Sequence, residues 1–210
     1  PAASPQMLNL SAVPRYLGRR VAAFVLLALC LGCDDVVSTS PLVGPAQRVQ
    51  DDRLAGSWVS DDSEDPLQFE LLSDGRYRYS GADADEEMAF SLGQFGTTLI
   101  LQWEQENCSS HLFIGSDDER RCYAFAKLEF DDRSFSLTQL DVERAFRESV
   151  AGSLEIEHEV RRDVPPENRA AQTCVILTAP TEQLRRFFET YIDDEAVFSK
   201  TKQVFSRAGP

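Results

Sequence analysis

The residue types that support catalysis come together at one place in the sequence. The run "NCSSH" sets Cys108, two serines and His111 side by side, which offers a nucleophile and a general base. Neighbours along a strand or turn seldom meet in the geometry of proton transfer, and no glycine-flanked nucleophile elbow surrounds them. The sequence therefore favours a protein that is not an enzyme.

Metal-ligand patterns are also missing from the sequence. Downstream of Cys33 the histidines, His111 and His158, and the cysteines do not form the two short-spaced ligand pairs of a tetrahedral zinc site. The acidic runs at 83–87 and 116–119 lack the glycine and the spacing of a calcium-binding EF-hand loop. We expect neither a metal site nor a cofactor.

The cysteines after position 33 are more suited to structure than to reaction. Cys108 and Cys122 bracket a polar loop and are predicted to form a disulfide, closing a ring of about 15 residues that stabilises by roughly 3 kcal/mol in the chain-entropy model. Cys174 lies in the apolar segment "QTCVILT", which favours a buried thiol. Pairing of Cys174 with either of the other two stays open.

The N-terminal segment carries the pattern of a signal sequence. The apolar run at 21–31 is about 11 residues long, whereas a helix needs roughly 20 to cross a bilayer. Arg15, Arg19 and Arg20 precede the run, and the small Gly32 follows it. Basic residues, a short apolar stretch and a small residue are together typical of a cleaved signal peptide.

Because Gly32 stands directly before Cys33, this segment resembles the signals of bacterial lipoproteins, in which a small residue precedes the cysteine that receives the lipid. The resemblance implies a signal peptide at 1–32 and lipid attachment at Cys33. It also implies a location in the bacterial cell envelope, anchored in a membrane and facing the periplasm or the exterior, with inner and outer membrane both open. Cys30 stands where the family usually has leucine, and an ordinary cleaved signal or an uncleaved anchor is the alternative.

The charge of the chain limits its partners. It has 35 acidic and 21 basic residues, for a formal net charge of −14, and every residue lost with segment 1–32 is basic or uncharged. Nucleic acid is excluded as a natural partner because phosphate binding needs a basic surface. An acidic surface keeps a protein soluble, and it could also engage a basic envelope protein.

The remaining sequence divides into a linker and one domain. Residues 33–52, rich in Ser, Thr, Pro and Gly without a sustained period, are predicted to form a lipidated flexible tether. Residues 53–210 show alternating segments, such as "PLQFELL" and "YRYSG" on either side of Asp74-Gly75, which predict antiparallel hairpins. The segment "SLEIEHEV" predicts a strand with Leu154, Ile156, His158 and Val160 on its inner face.

Two helices interrupt the strands. "DVERAFRESVAG" offers Asp141 as an N-cap and Gly152 as a stop. "APTEQLRRFFETYIDD" offers Thr181 as a cap and an apolar stripe at helical spacing, which predicts a C-terminal amphipathic helix packed on the strands.

The two ends of this domain resemble lipocalin-like barrels, in which a Gly-x-Trp of the first strand packs under an arginine of the last strand. Gly56, Trp58 and Arg207 match those positions, and a guanidinium stacked on an indole contributes about 0.5 to 2 kcal/mol. The expected fold is therefore mainly β: a single antiparallel β-barrel with a C-terminal helix. A β-sandwich or an open curled sheet is the alternative.

A barrel of this kind implies a binding module for a small apolar or amphipathic ligand. The residues expected to line its cavity or rim are Tyr77, Tyr79, Trp103, Tyr123, Phe125 and His158. The alternative function is an acidic interaction, assembly or inhibitor module that engages a basic envelope protein.

Overall fold

Eight antiparallel strands close on themselves into a barrel. The computed structural model describes residues 34–63, 65–81, 87–105, 121–163, 172–194 and 197–209. Its strands are β1 (Asp34–Ser38), β2 (Gly56–Ser60), β3 (Pro66–Leu71), β4 (Tyr77–Ser80), β5 (Glu87–Phe95), β6 (Thr98–Gln105), β7 (Cys122–Phe130), β8 (Ser134–Gln139), β9 (His158–Asp163), β10 (Gln172–Leu177) and β11 (Gln203–Arg207). Strands β2 to β8 form an up-and-down meander, and β11 returns between β8 and β2. The predicted antiparallel barrel is confirmed, and a lipocalin-like barrel is consistent with it.

A three-stranded extension of the sheet, made of β1, β10 and β9, begins at the edge of β7. β1 pairs with the first part of β7 through Val37–Ala124 and Ser38–Tyr123, and on its other side it pairs in parallel with β10. β10 in turn pairs with β9, which ends the sheet among the described strands. Among the described strands, β1 is the one that joins β10 and β9 to the barrel by backbone pairing.

The segment predicted to be a tether is part of the folded domain, so that prediction is wrong for the described residues 34–52. Leu42 and Val43 are buried, and their backbone N–H groups donate to Oε1 of Gln102 at 2.6 and 2.8 Å. The amide nitrogen of Gln102 donates back to the carbonyl of Val43 at 3.2 Å. Gly93 makes room for this contact, since a Cβ there would lie 2.5 Å from Cγ2 of Val43.

Two helices pack against the outer face of the sheet, the first on the extension and the second on the barrel. Helix α1 (Val142–Val150) begins after Asp141, whose carboxylate accepts the N–H of Arg144 at 2.8 Å, as predicted for the cap. In helix α2 (Thr181–Tyr191) the N-cap position is held by Pro180, which makes no side-chain capping bond. Thr181, predicted as the cap, instead donates to the carbonyl of Pro41 at 2.8 Å. Within the described ranges, neither helix has the length and apolarity to cross a membrane.

Helix α2 packs on the outer wall of the barrel, as expected for the C-terminal amphipathic helix. Its Phe188 lies 5.4 Å from the ring of Phe125 and 6.2 Å from that of Phe95, measured between centroids. These residues belong to an outer core that also includes Leu184 and Ile192. The inward-facing residues of the barrel form a separate inner core.

The strand predicted from "SLEIEHEV" is shorter than expected and only partly buried. β9 starts at His158, and Ile156 is buried as predicted, but the Val160 side chain is 37% exposed. The expectation of one continuous inner face is wrong at Val160, because β9 is the edge strand and little packs beyond it.

Candidate functional site

One end of the barrel is closed by the residues that the sequence singled out. The guanidinium carbon of Arg207 lies 4.2 Å from the centroid of the Trp58 ring. Its two terminal nitrogens donate to the carbonyls of Ala55 and Arg53, each at 2.8 Å. Gly56 has a φ of +130°, and a Cβ there would lie 2.1 Å from Nη1 of Arg207. Arg207 thus holds β11 against β2 and the residues before it at this end of the barrel.

Residues 48–55 cross this closed end from outside. The Tyr77 hydroxyl donates to the carbonyl of Asp51 at 3.0 Å and accepts its N–H at 2.7 Å. Burial raises the pKa of Tyr77, so the phenol stays protonated well above neutral pH. The indole N–H of Trp58 donates to the carbonyl of the buried Leu54 at 2.9 Å. Tyr77 therefore closes this end of the barrel, whereas the sequence predicted that it lines a ligand cavity.

Aromatic rings fill the middle of the barrel and form a floor. Phe69, on β3, lies 5.7 Å from Phe90 on β5, 5.7 Å from Phe135 on β8 and 6.3 Å from Phe205 on β11. Phe135 and Phe205 stack at 4.6 Å. Because one ring contacts rings from strands on both sides of the barrel, no long ligand can pass this level.

The opposite end contains buried polar atoms that no described residue satisfies. Trp103 near the end of β6 is 5% exposed, and Gln203 at the start of β11 is 8% exposed. The indole Nε1 of Trp103 and the Oε1 of Gln203 have no hydrogen-bond partner among the described residues. The amide nitrogen of Gln203 makes a long bond of 3.4 Å to Oγ of Ser60. A buried polar group without a partner costs about 1 to 3 kcal/mol. The Trp103 indole N–H is therefore an available donor, and the Gln203 oxygen is an available acceptor.

Small side chains stand beside these polar atoms. Ala124 pairs directly with Trp103 across β6 and β7, and both face the inner core with Tyr79. We call the group of buried residues Ser60, Tyr79, Trp103, Ala124 and Gln203 the cup. It lies above the aromatic floor, at the end of the barrel where β2 finishes and β11 begins.

No family model, curated protein or solved structure matches this chain. Within the described ranges no cluster of His, Cys, Asp and Glu could hold a metal ion. Trp103 supplies an indole donor and Gln203 an amide acceptor, and Tyr79 and Ala124 supply apolar contact surface.

The residues predicted to line a cavity lie in different parts of the structure. Tyr79 and Trp103 are buried in the inner core, and their part in a ligand cavity stays a prediction. Phe125 and the half-buried Tyr123 belong to the outer core with α2, so their assignment to the cavity is wrong. His158 is also outside it: its Nδ1 lies 2.7 Å from the carbonyl oxygen of Ile156 at the start of the edge strand.

The sequence analysis missed Gln203 and Ser60. The alternation of "QVFSR" places Gln203 on the same face of β11 as the buried Phe205, which is a signal that could have identified it. The sequence does not show that its amide oxygen is buried without a hydrogen-bond partner.

Two cysteines fall within the described residues. Cys122 is disulfide-bonded, and the other half of that bond lies outside the described residues. Cys174 is a buried thiol, as expected. Cys108, Cys33 and His111 are outside the described ranges, so the Cys108–Cys122 pairing and the lipid attachment at Cys33 stay predictions.

A recess of about 200 Å³ opens to solvent between α1 and α2. Its charged groups pair with one another: Arg144 donates to Glu148 at 2.5 Å, and the Tyr191 hydroxyl donates to Glu155 at 2.6 Å. The bond to Glu155 raises the pKa of Tyr191. Nη1 of Arg144 has no hydrogen-bond partner among the described residues, so this recess offers a donor, whereas the cup offers both a donor and an acceptor.

Proposed function

We propose that this protein is a non-enzymatic binding module of the bacterial cell envelope that holds a small amphipathic molecule in the cup. The observation that carries the proposal is the pair of buried, unpartnered atoms, Nε1 of Trp103 and Oε1 of Gln203, which lie inside the barrel at the end opposite Arg207. A ligand that satisfies both atoms recovers the cost of burying them.

The cup sets the chemistry of its ligand. The molecule needs an acceptor for the Trp103 indole N–H and a donor for the Gln203 oxygen. Its apolar part would lie against Tyr79 and Ala124, which are buried in the inner core. The aromatic floor around Phe69 limits its length, so a compact ring compound fits better than a long acyl chain.

Titration with 1-naphthol tests this function, because its two fused rings are apolar and its hydroxyl is both a donor and an acceptor. We expect Trp103→Phe to weaken the affinity about fivefold to tenfold, since a lost hydrogen bond is worth about 1 kcal/mol and 1.4 kcal/mol is tenfold. Isothermal titration calorimetry of the purified protein measures the change.

Phe125→Leu is the matched control for this titration, since it removes an aromatic ring from the outer core and leaves the cup unaltered. It should keep the wild-type affinity within about twofold, because 0.4 kcal/mol is a factor of two. Equal affinity of wild type and Trp103→Phe, or the absence of saturable binding, would count against the cup.

The envelope location rests on the N-terminal sequence, and the fold adds a consequence. β1 starts at Asp34, directly after the predicted lipid attachment site. With no spacer between Cys33 and the sheet, a lipid on Cys33 would hold the barrel at the membrane surface.

Replacement of the attachment residue tests the anchor. We expect Cys33→Ala to leave an uncut precursor without lipid, whereas Cys30→Ala should be processed normally. The intact mass of protein recovered from membranes distinguishes the two forms. Normal processing of Cys33→Ala would exclude this residue as the anchor.

A further inference from the structure

The edge strand β9 carries features that its place in the monomer does not use. It pairs only with β10 among the described strands, so its outer backbone groups are at the sheet edge. Val160, in the middle of β9, is the exposed large apolar residue of the described chain. An exposed strand edge is a template for pairing with another strand.

The charged residues on either side of Val160 are complementary in charge to the same residues of a second copy. Glu159 and Arg161 flank it, and their side chains are 45% and 24% exposed. In the monomer Nη2 of Arg161 lies 3.0 Å from Oε2 of Glu159. If a second β9 runs antiparallel with Val160 opposite Val160, each Glu159 stands opposite an Arg161 of the other copy.

The alternation of the strand puts these pairs on separate faces. Directly opposite residues of an antiparallel pair point to the same side, so the two valines meet on one face and the two ion pairs form on the other. A slip of two residues would place Glu159 opposite Glu159 or Arg161 opposite Arg161. A slip of one residue would set Val160 against a charged side chain. Charge and apolar contact therefore favour one register.

We propose that two copies of this chain associate by antiparallel pairing of β9 with β9, centred on Val160. The pairing continues the sheet of one copy into that of the other through strand addition. The two-fold symmetry makes the Glu159–Arg161 contact occur twice, on either side of the central Val160 pair, and two-fold dimers are the commonest closed homo-oligomers. The proposal does not depend on a ligand in the cup.

Two charge reversals provide the test. Glu159→Arg places arginine opposite arginine in a dimer, and Arg161→Glu places glutamate opposite glutamate, so each variant alone should dimerise at least tenfold more weakly than wild type. An equimolar mixture of the two variants restores both Glu–Arg pairs and should form a heterodimer. Sedimentation equilibrium of the purified proteins measures the association constants.

Val160→Arg is a further variant for the case in which a charge reversal disturbs folding, because this side chain is already 37% exposed. It should also weaken the dimer at least tenfold, with an unchanged unfolding midpoint. A wild-type protein that stays monomeric at millimolar concentration would overturn the proposal. A dimer that resists all three substitutions, or a mixture that fails to associate, would overturn it as well.

Discussion

A chain that begins at Arg53, where the flexible tether was expected to end, should fail to fold. The deletion removes β1 and with it the connection of β10 and β9 to the barrel. It also removes the buried Val36, Val37, Leu42 and Val43. Each such side chain contributes about 1.5 to 3 kcal/mol, so the loss is at least about 6 kcal/mol, against a typical total stability of 5 to 15 kcal/mol.

Thermal unfolding followed by circular dichroism compares this deletion with a chain that begins at Asp34. We expect a cooperative transition for the longer chain and none for the shorter one, together with aggregation through the uncovered edges of β7 and β10. Leu42→Ala is a graded control that should lower the free energy of unfolding by about 2 to 5 kcal/mol. A cooperative transition at the same temperature in both chains would show that segment 34–52 contributes no stability.

Gly56→Ala should be among the most destabilising single substitutions in the barrel. The φ of +130° is unfavourable for any residue with a Cβ, and such strain costs about 1 to 3 kcal/mol. The new methyl would also displace Nη1 of Arg207 from its position 2.1 Å away. Arg207 would then lose its bond to the Ala55 carbonyl and its stacking on Trp58. We expect a total loss of about 3 to 5 kcal/mol.

Gly96→Ala separates the effect of backbone strain from that of the displaced arginine. Gly96 has a φ of +59°, and no atom lies within 4 Å of its Cβ position. It should cost about 1 kcal/mol, because a residue with a Cβ is merely disfavoured in the left-handed region. Urea unfolding of both variants measures the difference. Equal losses at positions 56 and 96 would mean that the Arg207 closure does not stabilise the barrel.

The sequence predicted the features that depend on local pattern. Asp74-Gly75 predicted the hairpin that β3 and β4 form, in which Gly75 has a φ of +79°. Leu67 and Phe69 face the inner core because alternation determines which face of a strand is buried. The contact of Trp58 with Arg207 was expected from their types and from their places near the two ends of the domain.

Features that depend on distant partners were missed. Leu42 and Val43 show no period, and their burial follows from the side chain of Gln102, about 60 residues away, and from the missing side chain of Gly93. The face of Phe125 was assigned wrongly because β7 is buried on both faces, so apolarity could not separate the cup from the outer core. The exposure of Val160 follows from the position of β9 in the sheet, which alternation does not reveal.

Native mass spectrometry of the protein, recovered gently from envelope membranes, tests the central claim most directly. If the cup holds a small amphipathic molecule, the folded protein will carry a reproducible extra mass that is absent after denaturation. Trp103→Phe should reduce the occupied fraction, and Phe125→Leu should not. A wild-type protein without bound mass, together with no saturable binding of 1-naphthol, would contradict the proposal that this barrel is a ligand-binding module.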